Sequence, residues 1–342
     1  FQNGMSGFRR FYEVITVPQE EEGKIEVGKL NGDIVFNEVT FRYEENENVF
    51  ENFSLNIKAG TNVALVGESG VGKSTICHLI PRFYEILSGK ITIDDIDIKD
   101  MTLSSLRKNI GIVSQDVFLF TGTIKENIAY GKLDATDEEI YKAAKYANIH
   151  DYIMTLEKGY DTQVGERGIR LSGGQKQRIG IARALSLEPE VLVCDEATSA
   201  LDVSIQKNII ELLVKLQKER DLCIVFICHD IALLQAFAHE IAVMYLGNVL
   251  EVLPGEKLKD SAYHPYTKAL LSSLFSINMD FSEKIASIEG DVPSPINLPS
   301  GCVFQGRCKY VKEKCKVKKP SLEKVKEKHE VACYFTREIN NL

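Results

Sequence analysis

Apolar and polar residues alternate in the first well-patterned part of the chain. In the segment VTFRY the apolar residues Val39, Phe41 and Tyr43 are separated by Thr40 and Arg42, and FSLNIKAG continues with the same period of two. This pattern predicts strands of a half-exposed sheet. The next segment, TNVALVGESGVGKSTICHLI, predicts a buried strand, a glycine loop and a helix, in that order.

Helical periodicity dominates residues 116–170. Thr136 and Glu139 have the spacing of a capping box at the start of the segment DEEIYKAAKYANI. Two apolar strands, EVLVCDE and CIVFICHD, then flank the amphipathic segment QKNIIELLVKLQKE. Strands and helices that alternate in this way predict an α/β fold with a parallel sheet.

Composition and charge limit the number of domains and the kinds of partner that we expect. The 342 residues are 44% hydrophobic, which suits about two domains with a sizeable core. We expect an arm or linker over residues 1–30, an α/β domain over 31–260 with a helical part at about 116–175, and a small domain over 261–342, where Pro, Lys and Cys are enriched. The net charge of −8 disfavours a nucleic-acid partner. No apolar run reaches the roughly 18 residues that span a bilayer, and no signal-peptide pattern opens the sequence, so we expect a soluble chain.

The segment GESGVGKS has the spacing of a phosphate-binding loop, running from Gly67 to Gly72, Lys73 and Ser74. Its glycines leave the backbone N–H groups free to surround phosphates, while the N-terminus of the following helix faces their charge. Lys73 would reach the β- and γ-phosphates, and the Ser74 hydroxyl would bind magnesium. A purely structural glycine turn is the alternative. The buried strand before the loop and the helix after it favour the phosphate site.

Polar side chains stand at the ends of several predicted strands. Asp195 and Glu196 end VLVCDE, where α/β proteins place ligand-facing groups, so Asp195 would hold magnesium and Glu196 would polarise the attacking water. Helix-capping acids are the alternative. His229 in CIVFICHD and Gln115 in IGIVSQD are either contacts to the phosphate side of a nucleotide or ordinary cap and core residues. Tyr43 either stacks on adenine or belongs to the core.

A second glycine-rich segment, LSGGQ, stands directly ahead of a helical pattern in RGIRLSGGQKQRIGIARAL. With a phosphate loop upstream, an acidic pair downstream and then a strand-end histidine, it resembles the ATP-binding cassette family of ATPases over residues of about 31–260. The resemblance implies a P-loop NTPase fold with a mixed sheet, a helical signature subdomain, and ATP and Mg²⁺ as ligands. It also implies that ATP is hydrolysed to ADP and phosphate.

The resemblance assigns a role to each motif residue. Catalysis would depend on Glu196, His229 and Gln115. Magnesium would be held by Ser74, Gln115 and Asp195. The nucleotide contacts would come from both glycine-rich segments and two flanking residues, namely Tyr43, Gly67, Glu68, Ser69, Gly70, Val71, Gly72, Lys73, Ser74, Thr75, Ser172, Gly173, Gly174, Gln175 and Asp202.

Partners also follow from the resemblance. In this family the LSGGQ signature of one subunit closes over the ATP that the phosphate loop of another subunit holds. Ser172 and the N–H groups of Gly173 and Gly174, with a helix dipole behind them, would form that second phosphate cradle. The resemblance therefore implies a second nucleotide-binding subunit, identical or not, and transmembrane permease subunits, with this chain on the cytoplasmic face of the cell membrane.

The two flanks of the signature resemble different branches of the family. Upstream, FRRFYEVI, LFTGTIKENIAYG and VGERG resemble exporters of the lipid or multidrug type over residues 1–170. Downstream, VCDEATSALDVSIQ, AVMYLGNVLE and HPYTKALLSS resemble the ATPase subunits of dipeptide and oligopeptide importers over residues of about 180–342. We interpret residues 167–187 as the junction of a hybrid. A single divergent lineage is the alternative.

Four of the eight cysteines cluster near the C-terminus, at Cys302, Cys308, Cys315 and Cys333. Their C-x5-C-x6-C-x17-C spacing is wider than the pairs typical of zinc sites, and cytosolic disulfides are rare. Importer subunits with this pattern resemble proteins that bind a 4Fe–4S cluster through four thiolates. Ten Lys or Arg against four Glu in residues 307–330 would offset the cluster's charge. A zinc-filled site, or one that holds no metal, is the alternative.

The sequence thus predicts an ATP-hydrolysing subunit that dimerises on ATP and drives transport. Di- or oligopeptides are the expected cargo, because the C-terminal segment is importer-like. The alternatives are the cassette of a lipid or drug exporter, and a hybrid ATP-binding module that is not coupled to transport. A non-transport cassette protein is disfavoured, because the chain has neither a second cassette nor a long coiled coil.

Overall fold

The computed structural model describes residues 2–17, 20–44, 47–165, 171–199, 201–228, 231–272 and 298–342. Its strands are β1 (Ile34–Phe41), β2 (Phe50–Ile57), β3 (Asn62–Val66), β4 (Ser88–Ile93), β5 (Ile96–Asp97), β6 (Ile110–Val113), β7 (Gly122–Thr123), β8 (Gln163–Val164), β9 (Val191–Asp195), β10 (Cys223–Ile227), β11 (Glu240–Tyr245), β12 (Asn248–Pro254), β13 (Glu323–Lys326) and β14 (His329–Val331). Its α-helices are α1 (Gln2–Ile15), α2 (Lys73–Leu79), α3 (Leu103–Lys108), α4 (Ile124–Ala129), α5 (Asp137–Tyr146), α6 (His150–Met154), α7 (Gly173–Leu185), α8 (Val203–Arg220), α9 (Ile231–Phe237), α10 (Leu258–Ser261), α11 (Pro265–Ser272), α12 (Glu313–Val317) and α13 (Thr336–Asn340). Short 3₁₀ turns lie at Gly159–Asp161, Gly255–Lys257 and Gln305–Arg307.

The core sheet has eight strands in the order β13, β14, β12, β11, β3, β10, β9 and β6. The five strands from β11 to β6 in this order run parallel, and β12 and the hairpin of β13 and β14 are antiparallel to their neighbours. The predicted α/β fold with a mixed sheet is therefore confirmed. Because parallel strands end at a common edge, the carboxyl ends of β3, β9 and β10 lie on one side of the sheet.

A second, antiparallel sheet has the order β2, β1, β4 and β5. In β2 the residues Phe53, Leu55 and Ile57 are buried while Ser54 and Asn56 are exposed, so the alternation that predicted this strand is confirmed. The pairing of β1 with β2 shifts register twice, on either side of Val39. The strand then ends at Phe41, two residues earlier than the alternation predicts.

Helices dominate the segment between β6 and β9, as predicted. Thr136 caps α5 by accepting a hydrogen bond from the Glu139 N–H at 3.3 Å, and the Glu139 carboxylate accepts one from the Thr136 N–H at 2.8 Å. This reciprocal pair is the capping box expected from the sequence. Both α4 and α5 pack against α7, which begins at the LSGGQ segment.

The expected N-terminal arm contains α1, a helix of fourteen residues with apolar side chains on its surface. Phe8, Phe11 and Tyr12 are each more than half exposed. In the described part of the chain, no helix combines the length with the apolar content that a membrane span requires.

The C-terminal segment joins the core sheet directly, because β14 pairs with β12. The fully buried Glu251 of β12 accepts hydrogen bonds from the backbone N–H groups of Tyr263 and His264 at 2.7 and 3.1 Å. Its carboxylate also lies 2.7 Å from the His329 Nε2 of β14, and the His329 ring stacks on Tyr263. One carboxylate therefore links three parts of the chain that are separated in sequence.

The His264 imidazole makes stability depend on pH. The ring is buried and its Nδ1 accepts a hydrogen bond from the Tyr266 N–H at 3.0 Å. Burial lowers the pKa of His264 from 6.5 to about 4, while Glu251 opposes this shift. Between those values the unfolded chain binds a proton that the folded chain does not, so stability falls as the pH falls through this window.

We predict that the free energy of unfolding decreases by up to about 3 kcal/mol between pH 7.5 and pH 4 through this residue. His264→Gln should reduce that slope, because an amide oxygen can still accept the Tyr266 N–H but does not titrate. Urea denaturation across the pH range measures the effect. Equal slopes in wild type and His264→Gln would contradict the assignment.

Candidate functional site

The glycine-rich loop between β3 and α2 approaches neighbouring segments closely at two positions. A Cβ atom at Gly67 would lie 2.2 Å from the carbonyl oxygen of Met244, and one at Gly72 would lie 2.7 Å from the ring of Phe50. Gly72 also has a φ of 100°, which side-chain-bearing residues rarely adopt. The loop can therefore take this course only with glycine at these positions, and it leads straight into the first turn of α2.

The Lys73 amine lies inside this loop. Its Nζ donates hydrogen bonds to the carbonyl oxygens of Gly67 and Glu68 at 2.9 and 2.8 Å. Burial lowers the pKa of Lys73, whereas Glu196, Asp195 and Glu68 oppose that shift. A buried cation enclosed by backbone is well suited to bind phosphate oxygens, which can replace the two carbonyls as acceptors.

Asp195 and Ser74 come from segments far apart in sequence and meet beside the loop. The Ser74 hydroxyl donates a hydrogen bond to Asp195 Oδ1 at 3.1 Å. Burial raises the pKa of Asp195, and the hydrogen bond from Ser74 lowers it in part. A hydroxyl and a carboxylate side by side are the hard oxygen ligands that Mg²⁺ prefers, so the residues present fit this ion.

Glu196 follows Asp195 with its backbone in the left-handed region, at a φ of 49°. For a residue with a side chain this conformation costs on the order of 1 kcal/mol. A turn holds it in place, because the Glu196 carbonyl accepts hydrogen bonds from the N–H and hydroxyl of Ser199 at 3.1 and 3.0 Å. The same turn leads to Asp202, which precedes the first residue of α8.

Tyr43 lies beside the start of α2 rather than in the core. Its hydroxyl donates a hydrogen bond to Thr75 Oγ1 at 3.0 Å, and its ring contacts the edges of Phe41 and Tyr84. The side chain is 42% exposed. The alternative that Tyr43 is a core residue is therefore wrong, because β1 ends before it and the ring reaches solvent next to the phosphate loop.

The LSGGQ segment forms the start of α7. Ser172 caps the helix in a reciprocal capping box with Gln175, and Gly173 and Gly174 form its first turn. A Cβ atom at Gly174 would lie 2.8 Å from the Ile205 side chain of α8. This glycine, predicted from the sequence to bind phosphate, therefore also allows α7 and α8 to pack closely.

The structure defines the surroundings of the remaining predicted residues in less detail. Gln115 is exposed just after β6, and the adjacent Ser114 carbonyl accepts a hydrogen bond from Gln177 of α7 at 3.3 Å. His229 lies outside the described residues. Ser69 and Gly70 are exposed at the tip of the phosphate loop, and Val71 is buried beneath it.

Sequence reasoning missed a contact between the C-terminal segment and the phosphate loop. Arg307 Nη1 donates hydrogen bonds to the two carboxylate oxygens of Glu68 at 3.1 and 3.3 Å. The Glu68 N–H in turn donates to the Tyr266 hydroxyl at 3.3 Å. No local pattern could reveal this, because Arg307 and Glu68 are 239 positions apart.

The four clustered cysteines line one cavity, beside Phe304 and Phe335. All four are free thiols, and Cys302 donates its N–H to the Cys315 carbonyl at 2.7 Å. Burial raises the pKa of Cys302 to about 11 and also raises that of Cys308. Within the described part of the chain, no three His, Cys, Asp or Glu side chains are arranged to hold one metal ion. The thiols thus converge without forming a ready metal site.

Comparison with known proteins places these features in a family. Residues 50–199 match the ABC transporter family, and residues 250–315 match the family described as oligopeptide/dipeptide transporter, C-terminal region. An uncharacterized ABC transporter ATP-binding protein of Bacillus subtilis is 47% identical over 77% of this chain and 44% of its own length. A second Bacillus subtilis protein, named for multidrug export as an ATP-binding/permease protein, is 47% identical over 70% of this chain and 41% of its own length.

The solved structure of a bacterial Atm1-family ABC exporter with ATP bound is similar, with a TM-score of 0.66 and 37% identity over 75% of this chain and 45% of that one. The chain therefore spans less than half the length of each of these three relatives. The phosphate loop, the acidic strand end beside it and these similarities agree with one another, and the chain belongs to the ABC transporter family, of which it carries the ATP-binding domain.

Proposed function

We propose that the chain is the ATP-hydrolysing nucleotide-binding subunit of a membrane transporter. The observation that carries the proposal is the 3.1 Å hydrogen bond between Ser74 and Asp195, directly beside the buried Lys73 amine. A lysine, a hydroxyl and a carboxylate at the end of a phosphate loop are the parts that bind a nucleoside triphosphate with its metal. Other members of the family are ATPases in general, which supports hydrolysis here.

Each side chain has a distinct task in this proposal. The Lys73 amine binds the β- and γ-phosphate oxygens, and Tyr43 presents its exposed ring to the adenine. Ser74, Gln115 and Asp195 would hold Mg²⁺, which would supply positive charge beside the phosphate oxygens. Glu196 orients the attacking water and accepts its proton, and His229 contacts the γ-phosphate.

The first turn of α7 supports a dimeric mechanism. Gly173 and Gly174 present N–H groups at the positive end of a thirteen-residue helix that Ser172 caps, an arrangement suited to phosphate. In the proposal this turn closes over ATP in the phosphate loop of a second subunit, with Asp202 nearby. Two subunits then close on two ATP molecules and separate after hydrolysis.

Peptide uptake is the transport function that we propose. The C-terminal match to oligopeptide/dipeptide transporters supports it, as does the pairing of β14 with β12, which makes this segment continuous with the ATPase sheet. The subunit would bind transmembrane permease subunits at the cytoplasmic face of the membrane, and no nucleic acid. Export of a lipid or drug is the second candidate, favoured by relatives named for multidrug export. The third candidate is a hybrid ATP-binding module that is not coupled to transport.

A 4Fe–4S cluster remains part of the proposal for the C-terminal segment. The convergence of four thiols on one cavity supports it. Their arrangement does not match a bound metal, however, so the cysteines would have to move together to bind the cluster. No step of ATP hydrolysis depends on the cluster, whose role would be structural.

Glu196→Gln should lower kcat for ATP by about 100-fold or more, because an amide cannot accept the proton of the attacking water. Affinity for Mg·ATP should stay within a few fold of wild type, and the variant should accumulate as an ATP-bound dimer. Phosphate release, equilibrium binding and light scattering measure the three properties. Lys73→Ala is the contrasting variant and should lose binding. Near wild-type turnover in Glu196→Gln would remove this residue from catalysis.

Protein purified without oxygen should be brown, absorb broadly at roughly 400 nm and contain iron, if the thiols bind a cluster. Cys308→Ser should remove the colour and the iron. Cys77→Ser is the matched control, since Cys77 is a buried thiol outside the cavity. Colourless wild-type protein with about one zinc per chain would show a zinc site instead.

The hybrid interpretation predicts a separation of hydrolysis from uptake. The chain should hydrolyse ATP. It should nevertheless fail to complement a peptide importer that lacks its own ATPase subunit, because residues 116–170, the segment that would dock on the permeases, resemble those of an exporter. Replacing that segment with its importer equivalent should restore growth on peptide as the sole source of a required amino acid. The basal ATPase rate, measured in parallel, controls for folding. Complementation by the unmodified chain would support a single importer lineage.

A further inference from the structure

A largely buried ion pair connects the C-terminal segment to the phosphate loop. The Arg307 side chain is 8% exposed and that of Glu68 is 24% exposed, so the pair is largely shielded from solvent. Arg307 Nη1 also donates a hydrogen bond to the Tyr245 hydroxyl at 3.3 Å. The guanidinium is thus held by one residue of the phosphate loop and one of β11.

Aromatic packing fixes the position of this pair. The Tyr245 and Tyr266 ring centroids are 4.8 Å apart, and Phe304 contacts each of them at 5.4 Å. Phe304 directly precedes the 3₁₀ turn Gln305–Arg307, so the same cluster that supports the tyrosines also places Arg307. Displacement of the turn that carries Arg307 would disturb the packing of three buried rings.

All three polar groups of Glu68 are engaged around the loop. Its carboxylate binds Arg307, its N–H donates to the Tyr266 hydroxyl, and its carbonyl accepts from the Lys73 amine. The second residue of the phosphate loop is therefore held on one side by the catalytic domain and on the other by the C-terminal segment.

The charges indicate why an arginine is needed here. A carboxylate within a loop that binds phosphates would repel them and would compete for Lys73. Breaking a buried pair leaves the remaining charge uncompensated, which is costly. If the contact had only a structural role, an apolar side chain of similar volume could replace the arginine equally well.

We propose that Arg307 is a positioning residue for nucleotide binding, which neutralises Glu68 and holds its carboxylate away from the phosphate-binding side of the loop. This inference rests on the proposed binding of ATP in that loop. Through the contact between Arg307 and Glu68, the C-terminal segment would then contribute to the ATP site.

Arg307→Met tests the proposal. It should raise the Kd for Mg²⁺ with β,γ-imido-ATP by roughly tenfold, because it exposes the phosphates to an unpaired carboxylate. At saturating ATP, kcat should stay within about threefold of wild type, since Arg307 does not contact the reacting atoms. Isothermal titration calorimetry and steady-state kinetics measure these two effects.

A second substitution separates this role from a structural one. Adding Glu68→Gln to Arg307→Met removes the unpaired charge and should recover most of the lost affinity, whereas a merely structural arginine predicts a double variant at least as weak as the single one. Arg307→Lys, which retains the charge, should fall between wild type and Arg307→Met. Lys312→Met is the control, because it breaks the exposed pair with Glu338 elsewhere in the same segment and should leave the Kd unchanged.

The outcomes are distinguishable. Wild type that fails to bind the analogue would overturn the proposed function and this inference with it. Wild type that binds, with Arg307→Met binding equally well, would overturn only the role of Arg307. An Arg307→Met protein that melts at a much lower temperature and is not rescued by Glu68→Gln would show that the arginine is structural.

Discussion

Strand β3 pairs with β10 on one side and with β11 on the other, and the nucleotide site depends on this pairing. All five residues of β3 are buried, so neither the strand nor the loop that follows it can shift without disturbing the core. Strand β9 pairs with β10 on the side away from β3, and it ends at Asp195 on the same edge of the sheet. The parallel register therefore brings the Asp195 carboxylate to the Ser74 hydroxyl, although these residues are 121 positions apart.

Much of this arrangement could be predicted from the sequence because its signals are local. The glycine spacing of the phosphate loop, the Thr136 and Glu139 capping box and the period of β2 each depend on residues within a few positions of one another. The strand order places Asp195 at the common edge by a general rule for parallel sheets. The site was therefore predictable as far as local pattern and parallel topology determine it.

What could not be predicted depends on contacts distant in sequence. Tyr43 was ambiguous because β1 shifts register twice near Val39, which a simple alternation cannot represent. The packing of Gly174 on Ile205 and the pairing of Glu68 with Arg307 require the tertiary fold to be known first. The cysteines show the same limit, since their spacing indicates a shared site but does not fix how close the thiols approach.

The buried carboxylate of Glu251 has a consequence for how such a chain can be inherited. Glu251 belongs to β12, the last strand before the C-terminal segment, yet its hydrogen-bond donors, the N–H groups of Tyr263 and His264 and the ring of His329, all lie downstream. A crossover between β12 and these donors would leave the Glu251 carboxylate buried and unpaired unless the incoming segment supplied matching donors. A crossover upstream of β12 would instead transfer the strand and its donors together, with every partner of the carboxylate retained.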